Sequence, residues 1–143
     1  MRALGIIYLF AILSTTTFAQ KQGIKGQVFW LSGNQMPVPN KAIVPQQGIV
    51  REIHIYKIAT MNDVVMENNY YSQVKTELVA KIFSARDGYF KVRLPPGEYS
   101  VFTMESKGLF ANMFDAANRI NPVIVKPGKF AWITITVDYE AAY

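Results

Sequence analysis

The chain has 143 residues, with 15 Lys and Arg against 10 Asp and Glu, and it contains no Cys. This length is typical of one domain that can bury a core without cross-links. The lack of Cys excludes disulfides, thiolate metal sites and cysteine nucleophiles. The positive charges are scattered and form no basic run, which argues against a nucleic-acid partner. They suit an acidic polymer, a lipid surface, or solubility alone.

The first nineteen residues have the pattern of an export signal. Arg2 supplies a positive start, residues 3–13 are apolar but too short for a comfortable membrane span, and Thr17 and Ala19 are the small residues that signal peptidase requires. We expect cleavage before Gln20, which leaves residues 20–143 as one domain that is periplasmic, or extracellular or at the cell surface. The alternative is an uncleaved membrane anchor. No later stretch is long and apolar enough to span a bilayer.

The first half of the mature chain predicts two strands separated by a long connection. Residues 23–31 alternate as a strand does, and Gly26 inside them indicates a close backbone approach or a bulge. Residues 32–50 are rich in Pro and Gly, and residues 51–59 alternate again, with His54 on the side opposite Ile53 and Ile55. Residues 60–75 are polar and amide-rich, which predicts a mobile loop or a hairpin extension.

The second half predicts five more strands. Residues 76–84 form the third, and the segment 85–104 forms a central hairpin with an Asp87–Gly88 turn before it and a Pro-Pro-Gly turn within it. We expect Phe90, Tyr99 and Val101 in the core. Residues 106–121 are a connection that could hold a short helix over 111–119. Two strands, over 122–126 and 130–139, end the domain, and alternation on the last one turns Trp132 outward.

Seven short strands punctuated by Gly and Pro predict an all-β fold, a seven-stranded antiparallel β-sandwich of two sheets with long connections and room for one short helix. Three segments give this pattern a family resemblance: residues 24–28 (Ile-Lys-Gly-Gln-Val), residues 87–90 (Asp-Gly-Tyr-Phe) and residues 94–99 (Leu-Pro-Pro-Gly-Glu-Tyr). They resemble the carboxypeptidase regulatory-like domain, a transthyretin-like sandwich common in exported bacterial proteins. The resemblance implies a non-catalytic module, and its motifs concern turns and core rather than activity.

The sequence offers little catalytic chemistry. His54 is the only His, and we expect it to be a polar residue on the exposed face of its strand. General-base catalysis would also require an oriented partner and a nucleophile, and one His without Cys cannot supply the usual zinc ligands. We therefore expect no enzymatic activity, no cofactor and no metal site.

Aromatic residues are the better candidates for a binding site. Outward rings can stack on sugars or anchor a protein partner, although they can equally pack under the long connections. The candidate binding residues are Tyr70, Tyr71, Phe110, Phe114 and Trp132.

These observations predict an exported, non-catalytic module that acts by binding or assembly at the cell envelope, with an envelope protein or polysaccharide as partner. The expected contact surfaces are the connections 60–75 and 106–121 and the face that carries Trp132. Three alternatives remain open: a carbohydrate-binding accessory protein, a hydrolase that uses His54, and self-association through an edge strand.

Overall fold

A computed structural model describes residues 21–42 and 46–143. The predicted export signal and residues 43–45 of the first long connection lie outside the described residues. Within them the chain forms eleven strands, one three-residue 3-10 helix (Met61–Asp63) and no α-helix. The strands are β1 (Gly23–Asn34), β2 (Gln47–Gly48), β3 (Glu52–Lys57), β4 (Val64–Glu67), β5 (Tyr70–Val74), β6 (Leu78–Phe83), β7 (Tyr89–Arg93), β8 (Gly97–Glu105), β9 (Gly108–Phe110), β10 (Pro122–Val125) and β11 (Phe130–Ala142).

The strands form two sheets. In the first sheet β1 is central: β11 pairs with one edge, and β7 and then β2 pair with the other. The second sheet has the order β4-β5-β9-β8-β3-β6, with β10 beside the first half of β8. All pairs are antiparallel except β1 with β11, which are parallel. The predicted all-β sandwich is confirmed, but its first sheet is mixed and the strands outnumber the seven predicted.

The core lies between the two sheets. Alternation turns every second side chain of a strand toward the opposite sheet, and those side chains are buried together. The first sheet contributes Ile24, Val28, Phe90, Ile135 and Val137, and the second contributes Ile53, Ile55, Tyr99, Val101, Val123 and Val125. The predicted core residues Phe90, Tyr99 and Val101 are confirmed.

The central segment is not a hairpin, which corrects the sequence prediction. β7 pairs with β1 in the first sheet, whereas β8 pairs with β3 in the second. The Pro-Pro-Gly turn therefore carries the chain from one sheet to the other. The buried hydroxyl of Tyr99 donates a 2.6 Å hydrogen bond to the carbonyl of Pro95 and holds this turn on the core.

Two glycines allow neighbouring backbone segments to approach β1 closely. A Cβ on Gly26 would lie 2.1 Å from the carbonyl oxygen of Ile133, which confirms the close backbone approach, one of the two possibilities predicted at this position. Gly88 has φ +84° and packs against the backbone of Val28, whose N–H donates to the Gly88 carbonyl. The predicted Asp87–Gly88 turn is thus docked on β1.

The long connections are ordered by local contacts. Residues 60–75 form the β4–β5 hairpin, one of the two predicted possibilities, with Asn68 and Asn69 at positive φ in its turn.

The helix predicted over 111–119 is wrong. The Asp115 carboxylate accepts the backbone N–H groups of Ala117 and Arg119, which offers the backbone a turn in place of a helix.

Candidate functional site

The outer side of the first sheet combines aromatic rings with positive charges. Alternation directs eight side chains of β1, β7 and β11 to this side. We call this surface the aromatic–basic face: Lys25, Gln27, Tyr89, Lys91, Arg93, Phe130, Trp132 and Thr134. Register places Lys25 between Trp132 and Lys91, and Gln27 between Thr134 and Tyr89. The face is therefore built from three chain segments that are distant in sequence.

Its most exposed rings lean together across β1. The Trp132 and Tyr89 side chains are 52% and 40% exposed, and their ring centroids are 6.4 Å apart at an angle of 35°. We call them the ring pair. The indole Nε1–H of Trp132 donates a 3.3 Å hydrogen bond to Thr134, which orients the indole along the sheet. Beside them, the Lys91 ammonium lies 4.4 Å from the centroid of the Phe130 ring.

The charge on this face has one sign. Lys25, Lys91 and Arg93, which we call the cation triad, form no ion pair with any described carboxylate. Lys25 and Lys91 are directly opposite on neighbouring strands, and like charges in that position destabilise a sheet. Acidic residues on the same chain segments are engaged elsewhere: Asp87 accepts the backbone N–H of Tyr89, Glu98 pairs with Arg119, and Asp138 accepts hydrogen bonds from Asn112 and Tyr143.

The predicted binding residues divide into two groups. Three of them are buried: Tyr70, Tyr71 and Phe110. Their rings pack inside the protein, as the alternative interpretation expected, and do not face solvent as a binding surface requires. Burial is also the main reason that the pKa values of Tyr70 and Tyr71 are raised. Phe114 and Trp132 are exposed, and their binding role stays a prediction. Only Trp132 lies on the aromatic–basic face.

His54 is buried, which corrects the expectation of an exposed strand residue. Its side chain does point away from the inter-sheet core, but a second apolar cluster, built from Tyr71, Phe102, Leu109 and Ile120, covers the outer side of the second sheet there. His54 is only 3% exposed. It lies at the wall of an open depression of about 520 Å³ that is also lined by Tyr56, Tyr71, Ser72, Gln73, Val74, Met104, Lys107, Gly108 and Leu109.

The hydrogen bonds of His54 do not form a catalytic relay. Nε2 lies 2.8 Å from the Glu52 carboxylate, and the buried Nδ1 has no hydrogen-bond partner among the described residues. A serine-type relay needs one ring nitrogen on the carboxylate and the other on the nucleophile. In this site the second nitrogen meets no hydroxyl. The depression therefore holds a His–Glu pair without an attached nucleophile.

A buried charged cluster, which the sequence did not reveal, joins the two sheets at one end. Both Glu105 carboxylate oxygens accept from Arg51 Nε at 3.0 and 3.1 Å, and the Tyr139 hydroxyl donates to the same carboxylate at 3.1 Å. The Arg51 guanidinium also lies 5.6 Å from the Trp30 ring centroid. Burial first, and then the neighbouring Glu105 charge, raise the pKa of Tyr139. Arg51 and Glu105 are 54 residues apart, so no local pattern could have paired them.

Two further observations describe residues 21–42 and 46–143. No three His, Asp or Glu side chains among them lie close enough to hold a metal ion together. None of their helices is both long and apolar enough to cross a membrane.

Comparison of the chain with models of protein families, with curated proteins and with solved structures gives no match. The resemblance to the carboxypeptidase regulatory-like domain accordingly stays a prediction.

Proposed function

We propose that this protein is an exported, non-catalytic β-sandwich module that works by binding at the cell envelope, and that the aromatic–basic face is its binding surface. One observation carries the proposal: exposed rings and a cation triad without described carboxylate partners share one sheet face. The family resemblance is part of the same proposal. The sandwich and its two turn motifs support it, and such domains serve as non-catalytic modules.

Retention on envelope material tests the binding surface. Wild-type protein, Trp132→Ala and Phe114→Ala should be incubated with isolated cell-envelope fractions from the source cells. Both replaced rings are exposed, so neither change should unfold the protein. We expect Trp132→Ala to lose most of the retention and Phe114→Ala to keep it. Equal retention of all three proteins, or none by the wild type, would contradict the proposal.

Export is supported by the charged start, the short apolar run and the Thr17–Ala19 site at the chain's beginning. Mass spectrometry of the protein from periplasmic and extracellular fractions should find a chain that begins at Gln20. Recovery in the membrane fraction with residues 1–19 still attached would favour the membrane anchor.

A binding role is preferred to hydrolysis because of the environment of His54. Its Nε2 faces Glu52, and no hydroxyl within residues 21–42 and 46–143 is hydrogen-bonded to the ring. His54→Gln, which approximates the shape of the side chain, should retain envelope binding like the wild type. Loss of binding in a folded His54→Gln protein would place the function in the depression instead.

Self-association is a second candidate, favoured by β6. This strand ends the second sheet, and its Phe83 and Leu78 side chains are exposed. An unpaired edge with apolar side chains is a template for strand addition. Light scattering after size exclusion should show concentration-dependent dimers, and Phe83→Lys should abolish them. A monomer at high concentration would exclude this mode.

A further inference from the structure

We infer that the ligand of the aromatic–basic face is an acidic polysaccharide, whose sugar rings stack on the ring pair while its acid groups lie beside the cation triad. This inference rests on the proposed function because it names the ligand of the same surface.

The charge arrangement requires a negative partner. Lys25 and Lys91 face each other across a strand pair, and Arg93 follows two residues along β7 on the same side. The contact of Lys91 with the Phe130 ring leaves its positive charge in place, and opposed like charges on neighbouring strands repel each other. A ligand with carboxylate or sulfate groups converts the repulsion into attraction. A neutral ligand would leave it unrelieved.

The rings require a partner with flat apolar faces. Trp132 and Tyr89 are half-exposed, tilted toward each other and supported by strands rather than by a mobile loop tip. Pyranose rings present C–H groups on their faces, and these pack on aromatic rings while the hydroxyl groups at the edges stay available. Gln27 and Thr134 lie in the adjacent row between the same strands. The Gln27 amide nitrogen donates to the Asp87 carbonyl and the Thr134 oxygen accepts the indole N–H, so the groups that can serve the ligand hydroxyls are the Gln27 amide oxygen and the Thr134 O–H.

The same features argue against an anionic membrane as the ligand. Aromatic residues that enter a lipid interface lie with their apolar side directed into the bilayer, commonly on an amphipathic helix. The ring pair instead lies on a sheet face, and the indole N–H of Trp132 is already bonded to Thr134. A polymer chain lying across the sheet can reach both rings and all three cations without inserting anything.

Fluorescence titration of the purified protein tests the inference with matched polymers. Polygalacturonate is the acidic probe, and the same polymer with its carboxylates fully methyl-esterified is the neutral control. Trp132 and the half-buried Trp30 are the only Trp residues. We expect polygalacturonate to change the Trp emission and the esterified polymer to leave it unchanged. Because screening weakens such contacts, raising the salt from about 50 to about 500 mM should weaken binding by at least about tenfold.

Three variants locate the binding. Because Trp132→Ala removes the fluorescent reporter, binding by the variants and the wild type is measured by isothermal titration calorimetry. Trp132→Ala and the double variant Lys25→Gln/Lys91→Gln should each weaken binding of polygalacturonate by about tenfold or more, since each removes groups that contact the ligand. Lys107→Gln removes a cation near the depression on the other sheet and should bind like the wild type. Equal weakening by Lys107→Gln would show that net charge, not this face, determines binding, and would overturn the inference.

The remaining outcomes are decided by two other probes. Vesicles of phosphatidylglycerol and phosphatidylcholine should leave the emission unchanged, and so should polyglutamate. If either binds more tightly than polygalacturonate, or if the esterified polymer binds equally, the inference is wrong. If no acidic polysaccharide binds while envelope retention still depends on Trp132, the ligand class is wrong and the proposed function stands. If no acidic polysaccharide binds and envelope retention does not depend on Trp132, both the inference and the proposed function are wrong.

Discussion

Replacing Arg51 by Met should destabilise the protein more than replacing Glu105 by Gln, although both changes break the same ion pair. The reason is that the partners are buried unequally. The Glu105 side chain is 1% exposed, whereas the Arg51 side chain is 30% exposed. Arg51→Met leaves a carboxylate without a cation where water cannot reach it. Glu105→Gln leaves a guanidinium that can still turn toward solvent.

The magnitudes follow from that difference. Breaking a buried pair so that one charge stays buried costs about 3–5 kcal/mol. The Tyr139 hydroxyl still donates to Glu105 in the Arg51→Met protein, so we expect the lower end, about 3 kcal/mol. Glu105→Gln keeps the shape and a hydrogen-bond acceptor and loses mainly the charge assistance, about 1 kcal/mol. The difference of about 2 kcal/mol corresponds to roughly 8 °C in Tm for a domain of this size.

Urea unfolding monitored by circular dichroism measures both free energies. Arg93→Met is the matched control, because Arg93 is exposed and has no described ion pair, and it should change stability by less than about 0.5 kcal/mol. The double variant Arg51→Met/Glu105→Leu should be more stable than Arg51→Met alone, since it removes the stranded charge. The reasoning is refuted if Glu105→Gln costs as much as Arg51→Met, or if the double variant is no more stable than the single one.

Three further predictions concern the fold. Gly26→Ala should lower the free energy of unfolding by more than about 2 kcal/mol, because the new Cβ would clash with a backbone carbonyl of β11. Gly33→Ala should lower it by only about 1 kcal/mol, because its Cβ would meet open space and only the φ of +78° opposes it. Equal losses in urea unfolding would contradict this. Tyr99→Phe removes a buried 2.6 Å hydrogen bond and should lower the free energy of unfolding by about 1–2 kcal/mol; an unchanged urea midpoint would show that the bond does not hold the turn. The hydrogen bond from the backbone N–H of Arg119 is the main reason that the pKa of Asp115 is lowered from 3.8. The ionised Asp115 carboxylate therefore contributes its full stabilisation of the fold above pH 3.8, and that stabilisation is lost as the pH falls through the lowered pKa. The decrease in Tm caused by Asp115→Asn should therefore be complete at pH 7 and should become smaller as the pH falls below 3.8, and a constant difference would refute this origin.

The sequence was most informative where a side chain's direction depends only on its own strand. Alternation correctly turned Trp132 outward and placed Phe90 and Val101 in the core, because successive side chains of a strand alternate between faces whatever the strand pairs with. The same rule turned His54 away from the core, but it could not show what covers that side. Residues of the β4–β5 hairpin and of β9 cover that side, so His54 is buried although the sequence predicted it to be exposed.

By itself, the amino-acid sequence determined that this is an all-β sandwich, that Phe90, Tyr99 and Val101 lie in its core and that the chain turns at Asp87–Gly88. Those properties arise from period-two patterning and from the backbone preferences of Gly and Pro. Only the tertiary structure decided which strands are neighbours. The parallel pairing of β1 with β11 and its antiparallel pairing with β7 bring Trp132, Lys25 and Tyr89 to one face. Such pairing depends on contacts between segments that are up to about a hundred residues apart, which no local pattern encodes.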